Sequence, residues 1–79
     1  MRRRRLHDED VLSAIERLAG DGFCVMPELM RALPSGTHGD RRRAVNWTVR
    51  KGLVIERRGP DGRLHLALAS EGWRLLRAA

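Results

Sequence analysis

Apolar residues recur along this chain with a helical period first and a strand period later. Val11, Leu12, Ile15, Leu18 and Ala19 fall at i, i+1, i+4, i+7 and i+8, one face of a helix. Asp8-Glu9-Asp10 precede them, where the positive end of a helix dipole favours acids. Gly20-Asp21-Gly22 ends that helix. Phe23 to Met26 is short and apolar and predicts a small edge strand. Pro27 is placed as the first residue of a second helix. Glu28 to Leu33 continue it with Leu29, Met30 and Leu33 inward, and Pro34-Ser35-Gly36 stops it. A third helix runs to Lys51, capped by Thr37 or Asp40.

The period then changes to two. Leu53 to Arg58 and Arg63 to Ala69 read as strands joined by Gly59-Pro60-Asp61-Gly62. Pro and Asp at the centre with Gly after them predict a type I turn closed by a left-handed glycine. Leu64, Leu66 and Leu68 alternate with Arg63, His65 and Ala67, which predicts one buried face. Ser70 caps a last short helix, Glu71 to Ala78, with Trp73 and Leu76 on one side. The predicted order is α–(β)–α–α–β–β–α, with no internal repeat or linker. Seventy-nine residues, 42% of them hydrophobic, make one small folded domain over residues 7–79, preceded by a basic arm over residues 1–6. So short a chain buries a modest core, and dimerisation would add to its stability.

On a wheel of about 100° per residue, Val45, Thr48, Val49 and Gly52 of the third helix form the core stripe. Arg43, Asn46 and Arg50 fall opposite, with Trp47 beside them and Arg42 at the flank. Arg41 lies near the core side at the first turn and carries less weight as a base reader. Arginine can donate two hydrogen bonds to guanine, and asparagine can pair bidentately with adenine. The three-residue and four-residue spacings line up Arg43, Asn46 and Arg50 on one ridge. A solvated helix face would look the same from its charges alone. Trp47 is large, apolar and on the wrong side for this core. Either the helix is rotated and Trp47 packs under the hairpin, or it meets DNA sugars or a second subunit.

Charge sharpens this pattern. Residues 41–58 hold seven basic residues against one acid, Glu56, while residues 6–40 hold two basic residues, Arg17 and Arg31, against seven acids. The net charge of +6 falls to +2 without Arg2-Arg3-Arg4-Arg5, so most of the excess sits in the arm. A basic face localised on one helix is the footprint of a protein that docks on phosphates. The arm suits a minor groove, as homeodomain arms do, or acts as a tail that adds non-specific attraction.

Other chemistries find little support. His7, His38 and His65 have no metal spacing with Cys24 or with one another, and neither a nucleophile–base pair nor a phosphate-cradling glycine motif is present. No enzyme and no cofactor are expected. The single cysteine, Cys24, lies in an apolar run and reads as a buried structural thiol. His7-Asp8-Glu9-Asp10 follow the arm where a signal peptide would be apolar, and no run is long enough to span a bilayer, so a cytoplasmic protein away from membranes is expected. RNA binding usually uses exposed aromatics, and two Trp, one Phe and no Tyr offer few.

Several local signatures resemble a winged helix-turn-helix domain of the MarR-like and related small bacterial and archaeal regulators. Pro27-Glu28-Leu29-Met30-Arg31-Ala32-Leu33 is similar to the first helix of the helix-turn-helix. Val45 to Val54 looks like a recognition helix running into the first wing strand through Gly52-Leu53-Val54. Leu68-Ala69-Ser70-Glu71-Gly72-Trp73-Arg74-Leu75-Leu76 is similar to the segment after the wing. The resemblance covers residues 8–78 and implies an α+β fold: a three-helix core, a C-terminal β-hairpin wing and a short last helix. It implies the third helix in the major groove and the hairpin tip on the neighbouring backbone or minor groove.

By position, Arg42, Arg43, Asn46 and Arg50 then face the groove, with Trp47 beside them. Arg57, Arg58 and Arg63 lie at the wing, and Arg3 and Arg5 in the arm. Two departures stand out: Thr48 occupies a common leucine position, and the turn Pro34 to Gly39 is longer and richer in glycine. The long flanking helices that dimerise MarR proteins and shape their ligand pocket are missing, so a small-molecule sensor is not expected. The expected function is sequence-specific binding of double-stranded DNA by a small transcriptional regulator, with homodimerisation through Trp73, Leu75 and Leu76. The alternatives are a winged helix protein-interaction module and a non-specific architectural DNA-binding protein.

Overall fold

The first helix is the element on which the others pack. In the computed structural model, which describes residues 5–78, α1 (Asp8–Ala19) buries Val11, Leu12, Ala14 and Ile15 completely. Removing each large side chain from water contributes about 1.5–3 kcal/mol. Asp10 steadies the start of the helix by accepting the His7 N–H at 2.8 Å. Leu18, expected on the inward face, is exposed in the last turn, just before the chain turns away at Gly20. Leu6, assigned by the sequence to the arm, packs against the core.

After β1 (Cys24–Val25) comes α2 (Met26–Ala32), one residue earlier than its proline suggests. Pro27 sits in the first turn, where its missing N–H costs nothing. Leu29, Met30 and Leu33 are buried as the pattern requires. Next is α3 (His38–Arg50), capped by Thr37 rather than Asp40. Thr37 Oγ1 accepts the Asp40 N–H at 3.1 Å, and the Asp40 carboxylate accepts the Thr37 N–H at 3.0 Å.

The core stripe of α3 is narrower than its wheel suggests. Val45 and Thr48 are fully buried, Val49 is half-buried and Gly52 is exposed. Gly52 lies beyond the helix, at φ 76°, and serves its exit: Gly52 N–H donates to Val49 O at 3.0 Å and Leu53 N–H to Thr48 O at 2.9 Å. This Schellman pair needs a left-handed residue between its two bonds. Thr48 satisfies its buried hydroxyl by donating to Val45 O at 2.6 Å, so a polar residue stands in a leucine's place without an orphaned group.

The strands β2 (Val54–Arg58) and β3 (Leu64–Leu68) pair antiparallel, Val54 opposite Leu68 and Arg58 opposite Leu64. β1 pairs on the far side of β3, Cys24 opposite Leu66, giving the order β1-β3-β2. The turn closes as read: Gly62 N–H donates to Gly59 O at 3.0 Å, and Gly62 has φ 80°. One expectation for β3 fails, because Ala67 on the outward face is buried as well. The register sets it opposite Ile55, whose larger side chain lies beside it.

The chain ends in α4 (Ser70–Ala78). A side-chain carbon at Gly72 would overlap the Leu53 carbonyl oxygen, so this glycine lets α4 lie directly on the chain between α3 and β2. Trp73, Leu75 and Leu76 are half-buried against the core. The result is a small α+β unit of four helices and a three-stranded antiparallel sheet, with α1 at its centre.

Candidate nucleic-acid interface

Capping and burial together fix which side of α3 faces outward. With Val45 and Thr48 held inside, Arg42, Arg43, Asn46, Trp47 and Arg50 are all exposed. Arg41 is not part of this face. Its Nε donates to Ser35 O at 3.1 Å and its Nη1 to Met30 O at 2.9 Å. It therefore fastens the long turn between α2 and α3, as its position near the core side anticipates. These bonds explain how a glycine-rich turn of that length holds one shape.

The outward face is flanked by two open grooves. On one side Arg5 and Leu6, ahead of α1, bound a groove of about 830 Å³ with Arg43, Asn46, Trp47 and Arg50 of α3. Asp40 lines it too, 3.8 Å from the Arg43 guanidinium. On the other side α2, the start of α3 and the β2–β3 hairpin bound a groove of about 510 Å³. Its charged or ionisable lining is Arg31, His38, Arg42, Arg58 and Arg63, with no acid.

The structure thus separates the residues predicted at the site. Arg43, Asn46, Trp47 and Arg50 share the arm-side groove with Arg5. Arg42 joins Arg58 and Arg63 on the hairpin side. Arg57 leaves this group: strand alternation sends it to the opposite face of the sheet from Arg58, where its guanidinium lies 4.5 Å from the centre of the Phe23 ring. Arg3 lies outside the described residues.

Sequence reading missed Arg31 and His38. Both are exposed at helix ends beside the α2–α3 turn, and nothing in the spacing of either tells that the hairpin comes to meet them.

The site is held by few fixed contacts. An Arg58 guanidinium nitrogen donates to Gly62 O across the hairpin. Asp61 Oδ1 accepts the Arg63 N–H at 3.0 Å, which holds the Asp61 carboxyl below its ordinary value. His65, 3.4 Å away, acts in the same direction.

Trp47 is 55% exposed, so it does not pack under the hairpin. Lys51 Nζ stands over its ring, 5.6 Å from the centroid, and is itself paired with Asp8 Oδ2 at 2.8 Å. Lys51, one of the seven basic residues of this region, is thereby held between Trp47 and the start of α1.

Cys24 is buried, and burial, followed by the nearby Glu28 carboxylate, pushes its thiol up. This is the inert setting expected of a structural thiol. Among the described residues no group of His, Cys, Asp and Glu is placed to hold a metal ion, and no helix is long and apolar enough to cross a membrane. No protein-family model matches this chain, and no curated protein or solved structure shows significant similarity to it.

Proposed function

We propose that this chain is a winged helix-turn-helix protein that binds double-stranded DNA by sequence, as a small cytoplasmic transcriptional regulator. One observation carries the reading: the outward face of α3 presents arginines and an asparagine amide together, with Arg5 on one side and the basic hairpin-side groove on the other. Arginine and asparagine are the side chains best matched to guanine and adenine in the major groove. In this reading α3 enters that groove, and the β2–β3 hairpin is the wing. Arg31, Arg42, Arg58 and Arg63 hold backbone phosphates, which orient the domain without reading sequence. Arg57, stacked on Phe23, takes no part in the contact. A second copy meeting through α4 would use the outward parts of Trp73, Leu75 and Leu76, and would double the length of site read.

The test is a salt-dependent titration of a selected-site pool against random duplex, with the full chain and with a version lacking residues 1–5. A preferred sequence that survives removal of the arm is the expected outcome. No preference, a steep salt slope and loss of binding without the arm would instead mean an architectural or protein-interaction module with a basic tail. Sedimentation at micromolar concentration decides the dimer, and a monomer there excludes it.

A further inference from the structure

Trp47 has the largest exposed fraction of any large apolar side chain among the described residues. One side of its ring is taken by Lys51, which Asp8 holds toward the start of α1. The remainder opens on the groove shared with Asn46 and Arg50. We infer that Trp47 is a specificity residue that reads the 5-methyl group of a thymine in the major groove. This rests on the DNA-binding reading above and names a base for it.

The chemistry of the ridge and of the groove match. The neighbours of Trp47 on the outward ridge, Arg43, Asn46 and Arg50, are all hydrogen-bonding side chains. The thymine methyl is the apolar feature that a base pair offers in the major groove. Asn46 is adjacent to Trp47 in the chain, and an asparagine amide bonded to adenine places the paired thymine in the same stretch of groove. Although neighbours on a helix diverge by about 100°, Asn46 and Trp47 line the same groove, so the ring lies beside the stretch of base pairs that Asn46 reads. The Lys51 contact restrains the indole before DNA arrives, so less freedom is lost on binding. Contact with a deoxyribose would use the same ring but carry no sequence information.

The experiment uses the duplex that the full chain enriches from a random pool. Each thymine is replaced singly by deoxyuridine, which lacks only the methyl, and binding is followed by fluorescence anisotropy. For the unaltered chain one or two positions should weaken binding roughly fourfold, the worth of burying one methyl. Trp47→Ala should bind the parent duplex more weakly and show no further loss at those positions, while Trp47→Phe should keep part of it. Neutral replacements throughout, or an equal loss in Trp47→Ala, would overturn the inference and leave base reading by Asn46 and the arginines intact. Conversion of a free dimer to a monomer by Trp47→Ala in sedimentation would also overturn it. A pool that yields no preferred duplex would remove base reading and this inference together.

Discussion

The hairpin-side groove gathers Arg31, Arg42, Arg58 and Arg63 with His38 and no acid, whereas the arm-side groove sets Asn46 and Trp47 among Arg5, Arg43 and Arg50 and admits Asp40. The two flank one helix and differ in kind. Arginines with no amide or apolar side chain among them suit phosphates, which are the same at every step of a duplex. An amide and an indole add direction and an apolar surface, which distinguish one base edge from another. The consecutive residues Arg41, Arg42 and Arg43 show how little sequence separates these roles. Arg41 turns in to bind two carbonyls, Arg42 lines the hairpin side and Arg43 the arm side. A rotation of about 100° per residue is enough to part them.

The largest effect is expected from stripping the hairpin side. The combined variant Arg42→Ala/Arg58→Ala/Arg63→Ala should weaken binding to selected and random duplex alike, by roughly a hundredfold, and lower the salt slope by about 0.9 for each phosphate that is no longer neutralised. A weakening confined to the selected duplex would contradict the contrast between the flanks, because it would place base readers on the hairpin side.

Next in size is Arg41→Ala, which removes two bonds to half-buried carbonyls. It should cost about 2 kcal/mol of stability, a fall of about 10 °C in Tm, while affinity measured well below Tm stays unchanged. Arg43→Ala should do the reverse, and equal behaviour of the two in melting experiments would contradict their separate roles.

Asn46→Ala should cost about tenfold against the selected duplex and nothing against random DNA. Set beside the hairpin-side variant, that result would isolate base reading from phosphate binding, and competition titrations read it directly.

The smallest effect concerns pH at the hairpin tip. The Asp61 carboxyl is held below its ordinary value of about 3.8, chiefly by the Arg63 backbone N–H. A carboxyl depressed on folding stabilises the turn above that value, and its contribution is lost as pH falls through the lower folded one. The protection factor of the Arg63 amide, its exchange rate taken against the intrinsic rate at each pH, should fall below about pH 3.8 in the parent chain. In Asp61→Asn it should be insensitive over the same range, with the rest of the fold unmoved.

Much of this architecture was legible in the sequence. Thr37 was one of two caps offered for α3, and it is the N-cap, with Asp40 three residues on returning the bond. Gly59-Pro60-Asp61-Gly62 dictated its turn because Gly62 alone tolerates the left-handed conformation that closes it. The apolar period predicted Val11, Leu12 and Ile15 in the buried face of α1, but it did not single out Ala14, which is buried, and it placed Leu18, exposed at the helix end, inside. The opposite directions of Arg57 and Arg58 also lay within reach, since strand alternation sends neighbours to opposite faces. Carrying both over to the wing by position concealed this. Arg31 and His38 were different: they meet Arg58 and Arg63 only because α2, α3 and the hairpin converge.

Local sequence alone set the order of elements, their ends to within a residue or two and the outward ridge of α3. Those properties depend on residues a few positions apart, where caps, turn residues and the periods of helix and strand act. What lies beside that ridge was settled by tertiary packing. It brought Asp8 to Lys51, set Lys51 over Trp47, and left the other side of the indole open to the groove. It also brought α4 onto Leu53 at Gly72, where only a glycine leaves room. Such pairings follow from how packed elements lie against one another, and local periodicity carries no record of which residues meet across some forty positions of chain.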